Sequence, residues 1–81
     1  MKYFVYIVRC ADNTFYTGIT TDIKRRIDEH NGKDKGAKYT KVRQPVKLVY
    51  SSEFPNRSSA TKEEMRIKKM TRKQKEELLK S

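Results

Sequence analysis

The sequence has no tryptophan and contains only one cysteine, one histidine, two prolines and three glycines. A single cysteine cannot form an intrachain disulfide, and Cys10 and His30 together are too few soft ligands for a structural zinc site. We therefore expect a reducing, cytoplasmic location. Cys10 ends an apolar run and is interpreted as a small buried hydrophobic residue rather than a nucleophile.

Long apolar segments and familiar catalytic motifs are also missing. No segment has the apolar length of a membrane span or a signal peptide, so we expect no membrane association. The chain contains no glycine-rich phosphate loop, no serine nucleophile elbow and no multi-cysteine metal motif. These absences exclude several common enzyme classes before any residue is singled out.

Positive charge is in excess. Lys and Arg number 20 against 10 Asp and Glu, which gives a formal net charge of +10 in 81 residues. Such a field attracts polyanions, and nucleic acid is the expected partner; solubility alone is the alternative explanation. The length suits one domain, so we expect residues 1–81 to act as a single monomeric domain whose site shares residues with its core.

The first half of the chain predicts a hairpin followed by a helix. Residues 2–9 are apolar on both faces, which is typical of a central strand. Turn residues 11–13 precede a second strand over residues 14–19. Thr20, Thr21 and Asp22 are candidate N-caps for a helix over about 22–31.

The second half begins with a polar, basic segment, residues 31–43, which we interpret as a loop. Val46, Leu48, Val49 and Tyr50 after Pro45 predict a third strand. Ser58 or Ser59 can cap a helix that runs to about Met70. Thr71-x-x-Gln74 is a capping box that opens a basic C-terminal helix over 71–80.

Two tyrosines share one face of the predicted hairpin. If the turn pairs Cys10 with Thr14, residue numbers across the hairpin sum to about 24, which places Tyr6 opposite Gly18 and Tyr16 opposite Val8. Gly18 would leave open space beside Tyr6. The alternative is that both tyrosines are ordinary strand residues.

The first helix carries polar residues on its inward stripe. Arg26 and His30 lie one turn apart on the face that carries Ile23 and Ile27. An arginine on a packing face needs an anion, unless it belongs to an exposed charge run.

The later helix has a similar feature in Glu64, which falls between Ala60 and Ile67. A carboxylate there either pairs with a buried cation or binds a metal. Glu63, about 100° around the helix, is expected to face solvent and pair with Lys or Arg.

These inward-facing polar residues suit phosphodiester hydrolysis. A carboxylate can hold a divalent cation, an arginine can neutralise developing charge, and a tyrosine or histidine can orient and deprotonate water. The candidate catalytic set is Tyr6, Tyr16, Arg26, His30 and Glu64. The candidate nucleic-acid-binding set, from the basic segment, is Lys33, Lys35, Lys38, Tyr39, Lys41 and Arg43.

The spacing of these residues resembles that of the GIY-YIG nuclease family, and in particular its small stand-alone bacterial members. The resemblance rests on Phe4-Val5-Tyr6, on Tyr16-Thr17-Gly18 ten residues later, and on Arg26 ten residues after that. Phe4 stands in place of the motif's first glycine and Thr17 in place of its middle isoleucine. The late asparagine of several members has no counterpart after Asn56.

The resemblance implies an α+β fold in which helices flank a three-stranded antiparallel sheet, in the order ββαβαα. It also implies roles: Tyr16 activates water, Arg26 stabilises the phosphate, His30 assists proton transfer or contacts the leaving group, and Glu64 binds one Mg²⁺ or Mn²⁺. We therefore expect a metal-dependent DNA endonuclease of repair or recombination, targeted by its own basic surface or by a protein partner. The alternatives are a non-catalytic nucleic-acid-binding module and a domain that binds an acidic protein.

Overall fold

The computed structural model of the protein describes residues 1–32 and 37–80. Lys33 and Lys35 lie outside the described residues. In the described part of the chain, no helix has the length and apolar character needed to cross a membrane. The elements are strands β1 (Tyr3–Arg9), β2 (Phe15–Thr20) and β3 (Lys47–Phe54) and helices α1 (Ile23–His30), α2 (Lys38–Lys41), α3 (Arg57–Lys68) and α4 (Arg72–Lys80).

The sheet has three strands in the order β2-β1-β3, and both pairings are antiparallel. The expected α+β class and central first strand are therefore confirmed. Tyr6 pairs with Gly18 and Val8 with Tyr16, as the spacing predicted. A hydrogen bond from the Cys10 N–H to the Thr14 carbonyl, 2.8 Å long, closes the hairpin and fixes this register.

Helices cover the two faces of the sheet, so each face has its own apolar cluster. On one face Val5 and Ile7 pack against Ala60 and Ile67 of α3. On the other face the cluster comprises Tyr6, Val8, Cys10 and Val46, with Tyr16 and Ile27 packed against it. The predicted site residues on the hairpin therefore belong to the second cluster, and Cys10 is buried there as expected.

The helix starts show which capping predictions were correct. Asp22 caps α1, where its Oδ1 accepts the Arg25 N–H at 3.1 Å. The prediction of Ser58 or Ser59 as the cap of α3 was wrong, because Asn56 caps it and accepts the Ser59 N–H at 2.9 Å. Asparagine is as good an N-cap as serine, and it comes first along the chain.

The capping box before α4 is confirmed. The Thr71 N–H donates to the Gln74 side-chain oxygen at 2.9 Å, and the Gln74 N–H donates to the Thr71 hydroxyl at 3.2 Å. By contrast, the prediction of an unbroken loop over 31–43 was wrong, since α2 occupies residues 38–41. This short helix is held by tertiary contacts that no local pattern indicates.

Candidate active site

Tyr6 lies at the centre of the candidate site. It is 1% exposed, and its Oη lies 2.6 Å from His30 Nε2. Its side chain extends over Gly18, where an added Cβ would lie only 2.6 Å from Oη. Burial raises the pKa of Tyr6 to about 12 despite the hydrogen bond and charge of Arg26, while the charges of Tyr16 and Glu64 add to the rise.

His30 is fully buried and bonded at both ring nitrogens. Its Nδ1 lies 2.7 Å from Thr40 Oγ1, and that hydroxyl donates to the Ala37 carbonyl at 3.0 Å. Because the hydroxyl has one proton, it accepts from Nδ1–H, which leaves Nε2 as the acceptor of the Tyr6 O–H. The competing contact from the Ala37 N–H to Nδ1 is longer, at 3.4 Å.

The histidine is neutral at physiological pH. Burial lowers its pKa from the ordinary 6.5 to about 4, and the positive charge of Arg26 lowers it further than Glu29 can offset. The neutral imidazole can accept the hydrogen bond from the Tyr6 hydroxyl, and the site has no histidine charge that would need a counter-charge. The Tyr6–His30–Thr40 chain is thus a fully bonded buried network, which fixes the tyrosine hydroxyl in place.

Thr40 is the residue that the sequence did not reveal. It is fully buried, although it lies in a segment of otherwise exposed basic residues. Its one sequence signal is that it and Tyr39 are the two uncharged residues between Lys38 and Lys41. No periodicity indicates that α2 would pack its hydroxyl against a histidine ten residues earlier.

Tyr16 borders the same histidine through its ring. The two ring centroids lie 5.3 Å apart with the planes at 67°, an edge-to-face contact. Tyr16 is only partly buried, and within residues 1–32 and 37–80 its hydroxyl has no hydrogen-bond partner. That hydroxyl is available to water or a substrate, whereas the Tyr6 hydroxyl is already engaged.

The other flank of Tyr16 is covered by Tyr39. Their rings stack with centroids 5.9 Å apart and planes at 24°. The Arg43 guanidinium lies 3.9 Å from the Tyr39 ring centroid, and Tyr39 is 37% exposed. Arg43 Nε donates to Asp12 at 3.0 Å. Tyr39 and Arg43 thus support Tyr16 from outside, while Lys38 and Lys41 of the predicted binding set are exposed on α2.

Arg26 reaches the site from α1 and is partly buried, with 27% of its side chain exposed. Its Nη1 donates to Glu29 Oε1 at 3.0 Å. Burial alone would lower the pKa of Arg26, but hydrogen bonds with Glu29 and Tyr6 together raise it, so the guanidinium is charged. The anion that an inward-facing arginine required is therefore supplied by its own helix.

Glu64 approaches from α3 and is 17% exposed. Its Oε2 lies 3.2 Å from Lys68 Nζ, so its partner is a half-exposed lysine rather than a buried cation. Its negative charge is felt at Tyr6, where it contributes to the raised pKa of the hydroxyl.

The expectation that Glu63 faces solvent was wrong, because its side chain is 18% exposed and no more accessible than that of Glu64. The expected basic partner is present: Arg66 donates twice to its carboxylate, at 2.6 Å each. Hydrogen bonding from Arg66 lowers the pKa of Glu63. The side chains of Glu63 and Glu64 thus point in different directions and pair with different residues, but they are about equally exposed.

A divalent metal would have few protein ligands here. The described residues contain no group of three His, Cys, Asp or Glu side chains that could hold an ion. Mg²⁺, however, is commonly held by one or two carboxylates, with several retained waters and substrate phosphates completing the shell. Glu64 fits such a partly hydrated ion, since its carboxylate is reachable and its lysine partner is displaceable.

The structure thus brings four of the five predicted residues into one connected group and places Glu64 within electrostatic range of it. Tyr6, His30 and Arg26 interact through hydrogen bonds, Tyr16 joins them through ring contacts, and Glu64 does so through its charge.

Comparison with known proteins gives a consistent result. The family model of the GIY-YIG catalytic domain matches residues 2–77. A UPF0213 protein of Desulfotalea psychrophila is 54% identical over 79 residues, which are 98% of this chain and 72% of the relative. A UPF0213 protein of Halobacterium salinarum is 51% identical over 74 residues, 91% of this chain and 95% of the relative. The solution NMR structure of a protein from E. faecalis is similar with a TM-score of 0.67 and 46% identity, over 99% of this chain and 84% of that one.

Proposed function

Because the chain belongs to the GIY-YIG family, we propose that it is a divalent-metal-dependent endonuclease that hydrolyses DNA phosphodiester bonds. The observation that carries the proposal is the buried Tyr6–His30 hydrogen bond of 2.6 Å, beside the Arg26 guanidinium and within the field of the Glu64 carboxylate. A buried network with strongly shifted pKa values beside charged, partly exposed side chains is typical of a functional site.

We assign metal binding to Glu64. A Mg²⁺ or Mn²⁺ ion bound there would supply Lewis-acid stabilisation of the phosphate. Arg26 remains charged and partly exposed, so it can donate to the phosphate oxygens as negative charge develops. To do so it would share or leave its bond to Glu29.

We assign contact with the attacking water to Tyr16. Its hydroxyl has no partner in the described part of the protein, and its ring is held between His30 and Tyr39. Tyr6 is 1% exposed, and its pKa of about 12 disfavours the tyrosinate, so it serves to position rather than to react. The complete burial of His30 disfavours contact with the leaving group, so we assign it the positioning of the Tyr6 hydroxyl through their hydrogen bond.

The proposal extends to partners and setting. We propose that residues 1–81 act as one monomeric, cytoplasmic domain in DNA repair or recombination. Lys38 and Lys41 on α2 would contact phosphates, as would Lys33 and Lys35, and a protein partner could direct the enzyme to its target. The net charge of +10 supports nucleic acid as the substrate class.

The test is cleavage of end-labelled linear, single-stranded and branched DNA with Mg²⁺ or Mn²⁺. We expect cleavage by wild type that a chelator abolishes, and a loss of about 100-fold or more in Arg26→Ala. Tyr16→Phe should lose more activity than Tyr39→Phe, a matched control on the next ring of the same stack. Cleavage that persists unchanged in Arg26→Ala or in chelator would contradict the proposal.

One observation favours the alternative of a non-catalytic nucleic-acid-binding module. Arg26 and Glu64 each have an ion-pair partner on their own helix, so neither requires a ligand for charge compensation. That alternative predicts salt-sensitive binding that survives Glu64→Gln, with no cleavage of any substrate in either metal. Turnover by wild type would exclude it.

A further inference from the structure

A groove opens next to Arg26, at the end of β2. It has a volume of about 330 Å³ and is lined by side chains of β2, α1 and the start of α3, among them Thr20, Arg25, Arg26 and Arg57. Since β2 is an edge strand, nothing in the sheet covers this side. The groove lies at the opposite end of β2 from Tyr16 and the α2 helix that stacks on it.

The charge of the groove is strongly unbalanced. Three arginines line it, and one carboxylate, Glu29, is present to offset them. Glu29 lies 3.0 Å from Arg26 but 4.0 Å from Arg25, whose side chain is 60% exposed. Arg57 is exposed and makes no ion pair or side-chain hydrogen bond with any residue that the structure describes.

Arg57 makes no evident contribution to the stability of the fold. It is the first residue of α3, where the helix dipole disfavours a cation, and the first turn contains no acidic residue to offset it. Solvent exposure also means that no buried contact would be lost if it were replaced. An anion bound beside it would offset the unfavourable placement of this cation.

The distance between the candidate site and the groove matches the spacing of phosphates along a DNA strand. Gly18, which underlies Tyr6, and Thr20 at the groove are two strand residues apart, or roughly 6.6 Å along the strand. One DNA strand carries a phosphate about every 3.4 Å of duplex axis. A strand whose cut phosphate lies on the Tyr6 side of Arg26, over Gly18, therefore places a flanking phosphate about two nucleotides away in the groove, within reach of Arg25 and Arg57.

We propose that this groove binds a backbone phosphate that flanks the cut site, with Arg25 and Arg57 as its ligands. This inference rests on the proposed function and deepens it, because it gives the substrate strand a direction along β2, from α2 toward the start of α3. Guanidinium groups can bind phosphate through two parallel hydrogen bonds, and two of them facing one groove suit a single phosphate.

The experiment measures binding of a fluorescent single-stranded oligonucleotide to the full chain in chelator, where no cleavage occurs. Arg57→Gln is compared with Lys62→Gln, which removes the same charge from an exposed position of α3 outside the groove lining. We expect Arg57→Gln to weaken binding about 10-fold and to lower the salt slope by about 0.7, while Lys62→Gln has little effect on either. Arg57→Lys should recover the slope but only part of the affinity.

Each other result has a defined meaning. Equal losses in Arg57→Gln and Lys62→Gln would overturn the groove proposal and leave the nuclease proposal standing, because only net charge would then matter. If inorganic phosphate displaces the oligonucleotide at equal phosphate concentration, the groove binds free anions and the strand path is wrong. A wild-type chain that binds no oligonucleotide in chelator would overturn the groove proposal, whereas the nuclease proposal is decided separately by cleavage in Mg²⁺ or Mn²⁺.

Discussion

Gly18→Ala should disable the site while leaving the fold in place. Gly18 has no unusual backbone angle, so glycine is required there for space and not for conformation. An alanine Cβ would lie 2.6 Å from Tyr6 Oη and 2.8 Å from its Cζ. Since ordinary contact begins at 3.4 Å, the hydroxyl must move by about 0.8 Å, the difference between 3.4 and 2.6 Å.

That movement determines how much stability and how much activity the substitution costs. Overpacking of this kind costs about 1–3 kcal/mol of unfolding free energy. The bond from Tyr6 Oη to His30 Nε2, now 2.6 Å, would be stretched or broken. A misplacement near 1 Å in a catalytic site costs about 100-fold in rate.

The assay combines urea unfolding with DNA cleavage on Gly18→Ala and on Gly32→Ala. Gly32 is the matched control, because its added Cβ would meet only ordinary contacts at 3.4 and 3.5 Å. In a Tyr6→Phe background Gly18→Ala should cost less stability, since the closest clashing atom is then absent. Wild-type stability and cleavage in Gly18→Ala would refute the reasoning, as would an equal cost in both backgrounds.

Two further predictions concern the buried network. His30 is the single histidine, so NMR titration of its ring reports one site; we expect a pKa about 4, and a value near 6.5 would contradict the burial argument. Because the folded-state pKa of His30 lies below the ordinary value, the neutral histidine contributes stability that is fully present above pH 6.5 and is lost as the pH falls toward 4. The loss amounts to about 3 kcal/mol of unfolding free energy. Urea unfolding at several pH values should show this loss in wild type and not in His30→Gln. Thr40→Val removes the acceptor of the His30 Nδ1–H and should cost about 1–3 kcal/mol and shift the ring tautomer seen by nitrogen NMR, whereas Thr40→Ser should restore both; an unchanged tautomer in Thr40→Val would exclude the bond to Thr40.

Much of the hairpin and of the first helix could be predicted from the sequence. A tight turn fixes the register of the strands that it joins, so pairing Cys10 with Thr14 was enough to place Tyr6 opposite Gly18. Helical periodicity likewise placed Arg26 and His30 on one face. These features are set by residues close together in the chain.

The features that could not be predicted depend on distant contacts. The four residues of α2 are too few to show a period, and the helix is held in place through Thr40, whose bond to His30 spans ten residues. The low exposure of the Glu63 side chain was missed because Arg66 covers its carboxylate, a contact that spacing allows but does not require. The groove at Arg57 arises only when α3 is placed beside the edge of the sheet.

The two adjacent glutamates of α3 provide the most direct test of metal-dependent cleavage. Glu64 and Glu63 are 17% and 18% exposed, and each is paired with a basic residue of its own helix, so replacing either by glutamine removes a comparable ion pair. Lewis-acid stabilisation of several kcal/mol corresponds to about 100- to 1000-fold in rate. We predict a loss of at least about 100-fold in Mg²⁺- or Mn²⁺-dependent DNA cleavage for Glu64→Gln, and near wild-type cleavage for Glu63→Gln. Equal cleavage by wild type and Glu64→Gln would contradict the assignment of the metal, and with it the nuclease site.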